Sequence, residues 1–274
     1  MPNIVGGSDL GTETAQTVLS VLAYGARIEF RVPAALLAEL ASPIVPGAVV
    51  DAQGPAEVVL SVQLSHTPEG NPLFEIAENG IFLGTEHSLQ AAKDAVESWA
   101  QLTVATLAKK LVFVHAGVVG WRNRAIVIPG RTLSGKTTLA LALVEAGADY
   151  YSDEYAIFDS EGRVHPYRRL PKLKAAPVHT LPSRDFGRLL CGPPPRPIPL
   201  GWVLISRYEA GSSWQPRRLT CGETLLGLLD NTIPLRSRPE DSVRALAKAM
   251  TNVQGFEGLR GEAASFAQEA LASL

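Results

Sequence analysis

Residues 125–147 read AIVIPGRTLSGKTTLALALVEAG, and this stretch determines which class of fold the chain adopts. Its first part is almost uniformly apolar, as in a strand that is covered on both faces. Its last part repeats apolar residues at helical spacing and ends at Gly147, a residue type that commonly follows the end of a helix. The stretch therefore predicts a strand, a glycine-rich connection and a helix, which is the unit of an α/β fold.

The connection from Gly130 to Thr137, which we call the glycine-rich loop, matches the pattern GxxxxGK(S/T). Its two glycines allow a tight turn whose N–H groups approach phosphate oxygens, and a helix beginning near Lys136 adds the positive end of its dipole. Lys136 can neutralise the β- and γ-phosphates, and the Thr137 hydroxyl can bind Mg²⁺. The loop therefore predicts ATP and Mg²⁺ as cofactors. A strand-to-helix turn with an exposed lysine and no ligand is the alternative.

The predicted nucleotide contacts are the residues of the loop and the one that follows it. They are Gly130, Arg131, Thr132, Leu133, Ser134, Gly135, Lys136, Thr137 and Thr138.

An acidic pair follows the predicted helix, because Asp153 comes after Thr137 by the length of one helix and a return strand. A hydroxyl is a poor nucleophile until its proton is removed, and a carboxylate beside the loop can accept that proton. If Asp153 and Glu154 both lay on a strand, they would point to opposite faces and only one would face the loop. An exposed acidic turn without a function is the alternative.

Two further features are candidates for the site. His115, in VFVHAGV, is a site residue or an ordinary hydrogen-bonded core histidine. Arg168 and Arg169, with Lys172 and Lys174, form the densest basic cluster, which either binds phosphate or an acidic peptide or is a solvated loop.

The composition excludes several classes of function. The 274 residues carry 25 Lys+Arg against 27 Asp+Glu, a formal net charge of -2, so no overall positive charge attracts nucleic acid or an anionic membrane. Cys191 and Cys221 have no neighbouring Cys or His at zinc-ligand spacing. We find no secretory signal and no membrane span, so we expect a cytoplasmic protein. The sequence leaves open whether the chain forms a homo-oligomer.

The organisation along the chain suggests two domains. Residues 1–87 read as a small α+β domain, and residues 88–274 as the catalytic domain, which begins with a helix over 88–110 capped by Ser88. Residues 111–130 predict a hairpin of two strands, and the tail from residue 222 onward looks helical. Packing explains the aromatic residues Tyr150, Tyr151, Trp202 and Tyr208.

Three consecutive stretches resemble a known family: HAGVVGWRNRAIVIPG, GRTLSGKTTLALALVEAGADYYSDE and YAIFDSEGRVHPY. They resemble the catalytic domain of bacterial HPr serine kinase/phosphorylase and its HPr-kinase-like relatives, over about residues 110–165. The resemblance implies a P-loop kinase domain of the HPr kinase/PEP carboxykinase-like type, with Lys136 and Thr137 as phosphate and Mg²⁺ contacts. It also implies that Asp153 is the base, that Glu154 is the second acidic residue near the metal, and that His115 lies near the transferred phosphate.

The chain departs from that family in two places. We find no counterpart of the family's later signature segment, which is associated with dephosphorylation of phospho-HPr and with a further acidic Mg²⁺ contact. Residues 1–90 do not match its regulatory domain. We therefore expect neither phosphorylase activity nor HPr as the substrate.

These observations predict an ATP-dependent kinase that transfers the γ-phosphoryl group to a hydroxyl, a Ser of a peptide or protein. Some HPr-kinase-like proteins that this chain resembles belong to biosynthetic clusters for ribosomally made peptides, including lasso peptides, where the C-terminal Ser of a precursor is the acceptor. An N-terminal α+β domain would suit capture of such a peptide. A kinase for a small hydroxylated metabolite is the nearest alternative. A module that senses ATP without transferring phosphate is a second alternative, and it would need the loop but not Asp153. A carboxykinase-like enzyme would need additional metal-binding His and Lys residues, which we do not see.

Overall fold

A computed structural model describes residues 16–40, 44–51, 53–131, 134–171, 190 and 193–274. Contacts divide the chain into two compact units, residues 1–103 and residues 104–274. Both units contain a β-sheet, and the described residues form six α-helices, so the protein is a mixed α/β protein.

The first unit is built on a six-stranded sheet with the strand order β3-β1-β2-β4-β5-β6. Its strands are β1 (Gln16–Ala23), β2 (Ala26–Pro33), β3 (Val49–Val50), β4 (Val58–His66), β5 (Pro72–Glu78) and β6 (Ile81–Glu86). Its helices are α1 (Ala34–Glu39) and α2 (Leu89–Leu107), and the division between the units falls inside α2. The Ser88 hydroxyl accepts a hydrogen bond from the Ala91 N–H (3.2 Å), which confirms the predicted cap of α2.

The second unit is built on an eight-stranded sheet in which seven strands follow the order β11-β10-β7-β8-β12-β14-β13 and β9 pairs with β7. These strands are β7 (Val112–Trp121), β8 (Arg124–Pro129), β9 (Asp149–Ser152), β10 (Tyr155–Phe158), β11 (Arg163–His165), β12 (Ile198–Tyr208), β13 (Arg217–Leu219) and β14 (Gln254–Arg260). The helices are α3 (Lys136–Glu145), α4 (Cys221–Leu229), α5 (Pro239–Ala249) and α6 (Ala263–Ser273).

Strands β7 and β8 form the predicted hairpin, with Ala116 opposite Pro129 and Trp121 opposite Arg124. The two turn residues, Arg122 and Asn123, have φ angles of 47° and 60°, the left-handed pair that matches the twist of a two-residue hairpin. This hairpin carries the chain directly from His115 on β7 to the glycine-rich loop after β8.

Strand β8 is buried on both faces, as its uniformly apolar sequence predicts. Ile126 and Ile128 pack in a cluster with Leu139 of α3 and Phe266 of α6, while Val127 belongs to a cluster on the opposite face. Because β8 runs parallel to β12, and β12 parallel to β14, their carboxyl ends share one edge of the sheet. The glycine-rich loop leaves β8 at that edge.

Helix α3 begins at Lys136, where the sequence predicts it to begin, and Gly147 ends it as predicted. Gly147 has a φ angle of 110°, and the N–H of Ala148 donates to the Leu143 carbonyl (3.0 Å). The tail contains the predicted helices, but it also contains β14, which the sequence pattern does not predict. None of the helices in the described ranges combines the length and the apolar character that a membrane span requires.

Candidate phosphate-binding and acidic site

The glycine-rich loop connects the carboxyl end of β8 to the first turn of α3. A Cβ added to Gly130 would lie 2.6 Å from Ser134 Oγ, so only glycine fits there without displacing that side chain. Gly135 has a φ angle of 85° and precedes the helix as its N-cap. The first N–H groups of α3, including that of Thr138, have no partner within the helix, and the positive end of the helix dipole lies here. Thr132 and Leu133 lie outside the described residues.

Lys136 is buried, which contradicts the alternative of an exposed lysine. Its Nζ donates to the carbonyl oxygen of Arg131 (2.8 Å), which also accepts from the Ser134 N–H (3.2 Å). Burial lowers the pKa of Lys136, although the charges of Glu154 and Asp153 oppose this effect. The lysine is therefore held against its own loop, next to both carboxylates.

Gly117, on β7, allows α3 to approach the sheet at this point. A Cβ added to Gly117 of β7 would lie 3.2 Å from the carbonyl oxygen of Lys136. The close approach brings the start of the helix next to the strand that carries His115.

Asp153 lies directly against the loop. The Thr137 hydroxyl donates to Asp153 Oδ2 (3.0 Å), and the Asp153 side chain is 0% exposed. Asp153 and Glu154 occupy the bend between β9 and β10 rather than a strand, so the alternation that would send them to opposite faces does not apply. The structure thus brings both carboxylates to the same place.

The other oxygen of Asp153 is held by two groups. Arg169 Nε donates to Asp153 Oδ1 (3.2 Å), and the Tyr150 hydroxyl donates to the same oxygen (3.1 Å). Burial and the charge of Asp153 raise the pKa of Tyr150 above its ordinary value, so the hydroxyl remains a donor. Packing alone therefore does not account for Tyr150. Only its position three residues before Asp153 could have indicated this role.

Arg169 bridges the two acidic residues. Besides its bond to Asp153, its Nη2 donates to Glu154 Oε2 (2.8 Å), and its side chain is 15% exposed. Arg169 is therefore not part of a solvated loop. Its neighbour Arg168 is half-buried, and Lys172 and Lys174 lie outside the described residues.

His115 reaches the site from β7, where it pairs with Tyr155 of β10. Its Nε2 lies 3.4 Å from Glu154 Oε1. Burial alone would raise the pKa of Glu154, but the hydrogen bond with His115 and the charges of Arg169 and Lys136 outweigh it. They hold that pKa below its ordinary value. Glu154 is therefore a carboxylate that stays ionised and is a poor proton acceptor.

The oxygens of Thr137 and of the acidic pair fit a Mg²⁺ site that is completed by phosphates and water. The described residues contain no group of three or more His, Cys, Asp or Glu side chains that could hold a metal by themselves. Mg²⁺ typically needs only one or two protein oxygens, since phosphates and water supply the others. Thr137 Oγ1 and Asp153 Oδ2, 3.0 Å apart, are oxygens of the kind that Mg²⁺ prefers, with Glu154 as a second carboxylate.

We expect Tyr150→Phe to destabilise the protein by about 1–3 kcal/mol, because it removes a hydrogen bond to a buried carboxylate. Asp153 Oδ1 also loses one of the donors that orient it. Tyr151→Phe is a matched control, because its buried hydroxyl donates to the Arg196 carbonyl (2.8 Å) and not to the acidic pair. Urea denaturation of both variants would test this. A loss of stability in Tyr150→Phe no larger than in Tyr151→Phe would contradict the assigned role of Tyr150.

We expect Arg169→Met to cost about 3–5 kcal/mol of stability, because it leaves the buried carboxylate of Asp153 and the partly buried carboxylate of Glu154 next to each other without their shared cation. Arg163→Met is the comparison, since Arg163 Nε forms a similar contact with Asp159 Oδ2 (3.0 Å) but is exposed. Its loss should cost less than about 1 kcal/mol. Similar denaturation midpoints for the two variants would show that Arg169 does not stabilise the acidic pair.

Side chains from separate elements therefore meet at one edge of the sheet: His115 from β7, Lys136 and Thr137 from α3, Tyr150 from β9, Asp153 and Glu154 from the bend, and Arg169 from the segment after β11. Of the sequence-predicted catalytic and metal-binding residues, every one lies in this group. No protein-family model matches the chain, and no curated protein matches it.

Proposed function

We propose that this chain is an ATP-dependent kinase of the HPr-kinase-like type, which transfers the γ-phosphoryl group to the hydroxyl of a Ser in a peptide or protein. The observation that carries the proposal is the contact of Thr137 Oγ1 with Asp153 Oδ2 (3.0 Å). It joins the end of a glycine-rich loop, where phosphates bind, to a carboxylate that can activate a hydroxyl.

The loop and α3 are suited to bind the polyphosphate of the nucleotide. The N–H groups around Gly135 and the first turn of α3 offer donors to phosphate oxygens, and Lys136 can exchange the Arg131 carbonyl for a phosphate. Thr137 and Glu154 would hold Mg²⁺, which would neutralise phosphate charge when it is bound, and this leaves Asp153 to accept the proton.

Asp153 is the proposed general base. Its Oδ1 is held by Tyr150 and Arg169, whereas its Oδ2 faces the loop and, within the described part of the chain, has a hydrogen bond only with the rotatable Thr137 hydroxyl. Oδ2 would accept the proton of the acceptor hydroxyl. The acceptor oxygen then forms the new bond to phosphorus as the bond to the ADP leaving group breaks.

The neighbouring charges support this division of roles. Glu154 has a pKa below its ordinary value, so it is a poor proton acceptor and suits the neighbourhood of a metal. Lys136 and Arg169 offset the two carboxylates and the incoming phosphates. His115, next to Glu154, is placed to orient that carboxylate and to lie near the transferred group.

Transfer of labelled phosphate tests the proposal. The protein is incubated with Mg²⁺, ATP labelled in the γ-phosphate and a panel of Ser-containing peptides and small hydroxylated metabolites. We expect label in a peptide, and the same peptide with Ser replaced by Ala should take up none. Label in a metabolite alone would favour the small-molecule kinase.

The ATP-sensing module is the alternative from a different class. It binds the nucleotide and changes its assembly without transferring phosphate. If no acceptor is labelled across the panel, and addition of MgATP shifts the oligomeric state in light scattering, the sensor should replace the kinase.

A further inference from the structure

Two side chains at the carboxyl ends of β12 and β14 lie beside the glycine-rich loop and take no part in the acidic site. Tyr208 ends β12, Arg260 ends β14, and the two residues are partners in the parallel ladder. Strand β8, which leads into the loop, is the other parallel neighbour of β12. Because ligands of open α/β sheets bind outside the carboxyl ends of the strands, this pair lies at the binding edge.

Arg260 is a buried cation that touches the loop. The residue is only 5% exposed. Its Nη2 donates to the Ser134 carbonyl (3.4 Å), and its Nη1 donates to the Gly261 carbonyl (3.1 Å). A Cβ on Gly135 would lie 2.7 Å from Nη2. Both hydrogen bonds go to neutral oxygens, and Nε is buried with no hydrogen-bond partner within the described part of the chain. Burial lowers the pKa of Arg260, and the charge of Glu262 opposes this only in part. An anion bound at the loop would offset the remaining cost of burying the cation.

Tyr208 is held in place but remains accessible. The Arg260 Cζ atom lies over its ring, 5.3 Å from the centroid, and its hydroxyl donates to Glu262 Oε1 (2.8 Å). The residue is nevertheless 50% exposed. A cation and a hydrogen bond thus fix an aromatic side chain in a half-exposed residue, as a stacking surface for a nucleobase requires.

The order of the strands gives the direction of the nucleotide. The acidic pair lies on the side of β7 and β10, and Tyr208 and Arg260 lie on the side of β12 and β14, with β8 and its loop between them. The phosphate that is transferred must face the general base, Asp153, on the side of β7 and β10. The nucleoside then extends towards the side of β12 and β14.

We propose that Tyr208 binds the nucleobase of the phosphoryl donor by stacking, and that Arg260 binds the phosphates next to the loop. This inference rests on the proposed kinase function, because it names the part of the same site that takes the nucleoside. The base stacks on the exposed ring, while the buried guanidinium beneath that ring links it to Ser134 and Gly135.

Calorimetric titrations of the whole chain with MgATP and with magnesium tripolyphosphate, which has no base, test the role of Tyr208. We expect Tyr208→Ala to lower the affinity for MgATP by about 10-fold and to leave the affinity for tripolyphosphate unchanged. Tyr208→Phe keeps the ring and should retain most of the affinity for MgATP. Phe82→Ala is the control, because it removes an aromatic ring that is 64% exposed on β6.

Arg260→Gln should weaken the binding of both ligands by about 10-fold, because both carry the phosphates. The nucleobase assignment is overturned if Tyr208→Ala lowers the affinities for MgATP and for tripolyphosphate equally, or lowers neither. The assignment of Arg260 is overturned if Arg260→Gln binds tripolyphosphate as the wild type does. A wild-type chain that binds neither ligand would refute the proposed kinase itself, which is a different result from either of these.

Discussion

Asp153→Asn should lower phosphoryl transfer by about 10²–10⁴-fold, the usual contribution of a general base, while MgATP still binds. Asn has the shape of Asp and can still accept from Tyr150 and Arg169 through its carbonyl oxygen, but it cannot take a proton from a hydroxyl. A carboxylate beside phosphates repels them, so its neutralisation costs little of the nucleotide's affinity. Transfer rates and calorimetric titration with a non-hydrolysable ATP analogue measure the two effects separately.

The matched control for this variant is Asp159→Asn. Asp159 is another acidic residue with an arginine partner, but it lies in the turn between β10 and β11 and contacts Arg163 and His165 of β11. We expect Asp159→Asn to leave transfer unchanged. Full activity of Asp153→Asn would remove Asp153 from the mechanism. If Asp153→Asn instead loses MgATP binding altogether, then Asp153 serves the nucleotide rather than the hydroxyl.

Lys136→Ala should weaken MgATP binding by about 10²-fold, because it removes charged hydrogen bonds to the phosphates from a buried position. Transfer should fall with it, since Lys136 also offsets the charge of the two carboxylates. Calorimetric titration with the non-hydrolysable analogue measures the affinity, and thermal unfolding shows whether the variant is folded.

Lys248→Ala is the control, because Lys248 is an exposed lysine on α5. It should bind MgATP as the wild type does. Unchanged affinity of a folded Lys136→Ala variant would show that the glycine-rich loop is an ordinary strand-to-helix turn, and the proposed function would then lose its basis.

Several features of the fold could be predicted because they depend on neighbouring residues alone. The hairpin follows from two apolar runs separated by Arg122, Asn123 and Arg124, since a two-residue turn fixes how its strands pair. Helix α3 follows from the spacing of its apolar residues and from Gly147, which accepts the left-handed backbone at its end. These signals lie within a few residues of the element that they determine.

The acidic pair could be predicted only in part. Its distance along the chain from Thr137 was enough to place Asp153 at the loop, because one helix and one return strand bring the chain back to the same edge. On a strand, Asp153 and Glu154 would point to opposite faces of the sheet, but the two residues lie in a bend. In a bend the alternation of strand side chains is lost, and both carboxylates reach Arg169.

Local sequence is enough to predict the glycine-rich loop, the helix that follows it and the residues at which each ends, because glycine conformation and apolar spacing are local properties. Which groups meet at that loop depends on tertiary contacts. The basic cluster of the sequence includes Arg169 but does not identify Asp153 and Glu154 as its partners, and only the position of Tyr150 three residues before Asp153 points to their hydrogen bond. Strand β14 contains two glycines and has a weak strand pattern, but it pairs with β12 and β13, and this pairing places Arg260 against the loop. Contacts between residues far apart in the chain depend on how the sheet is ordered, and that order is fixed by the packing of the whole unit.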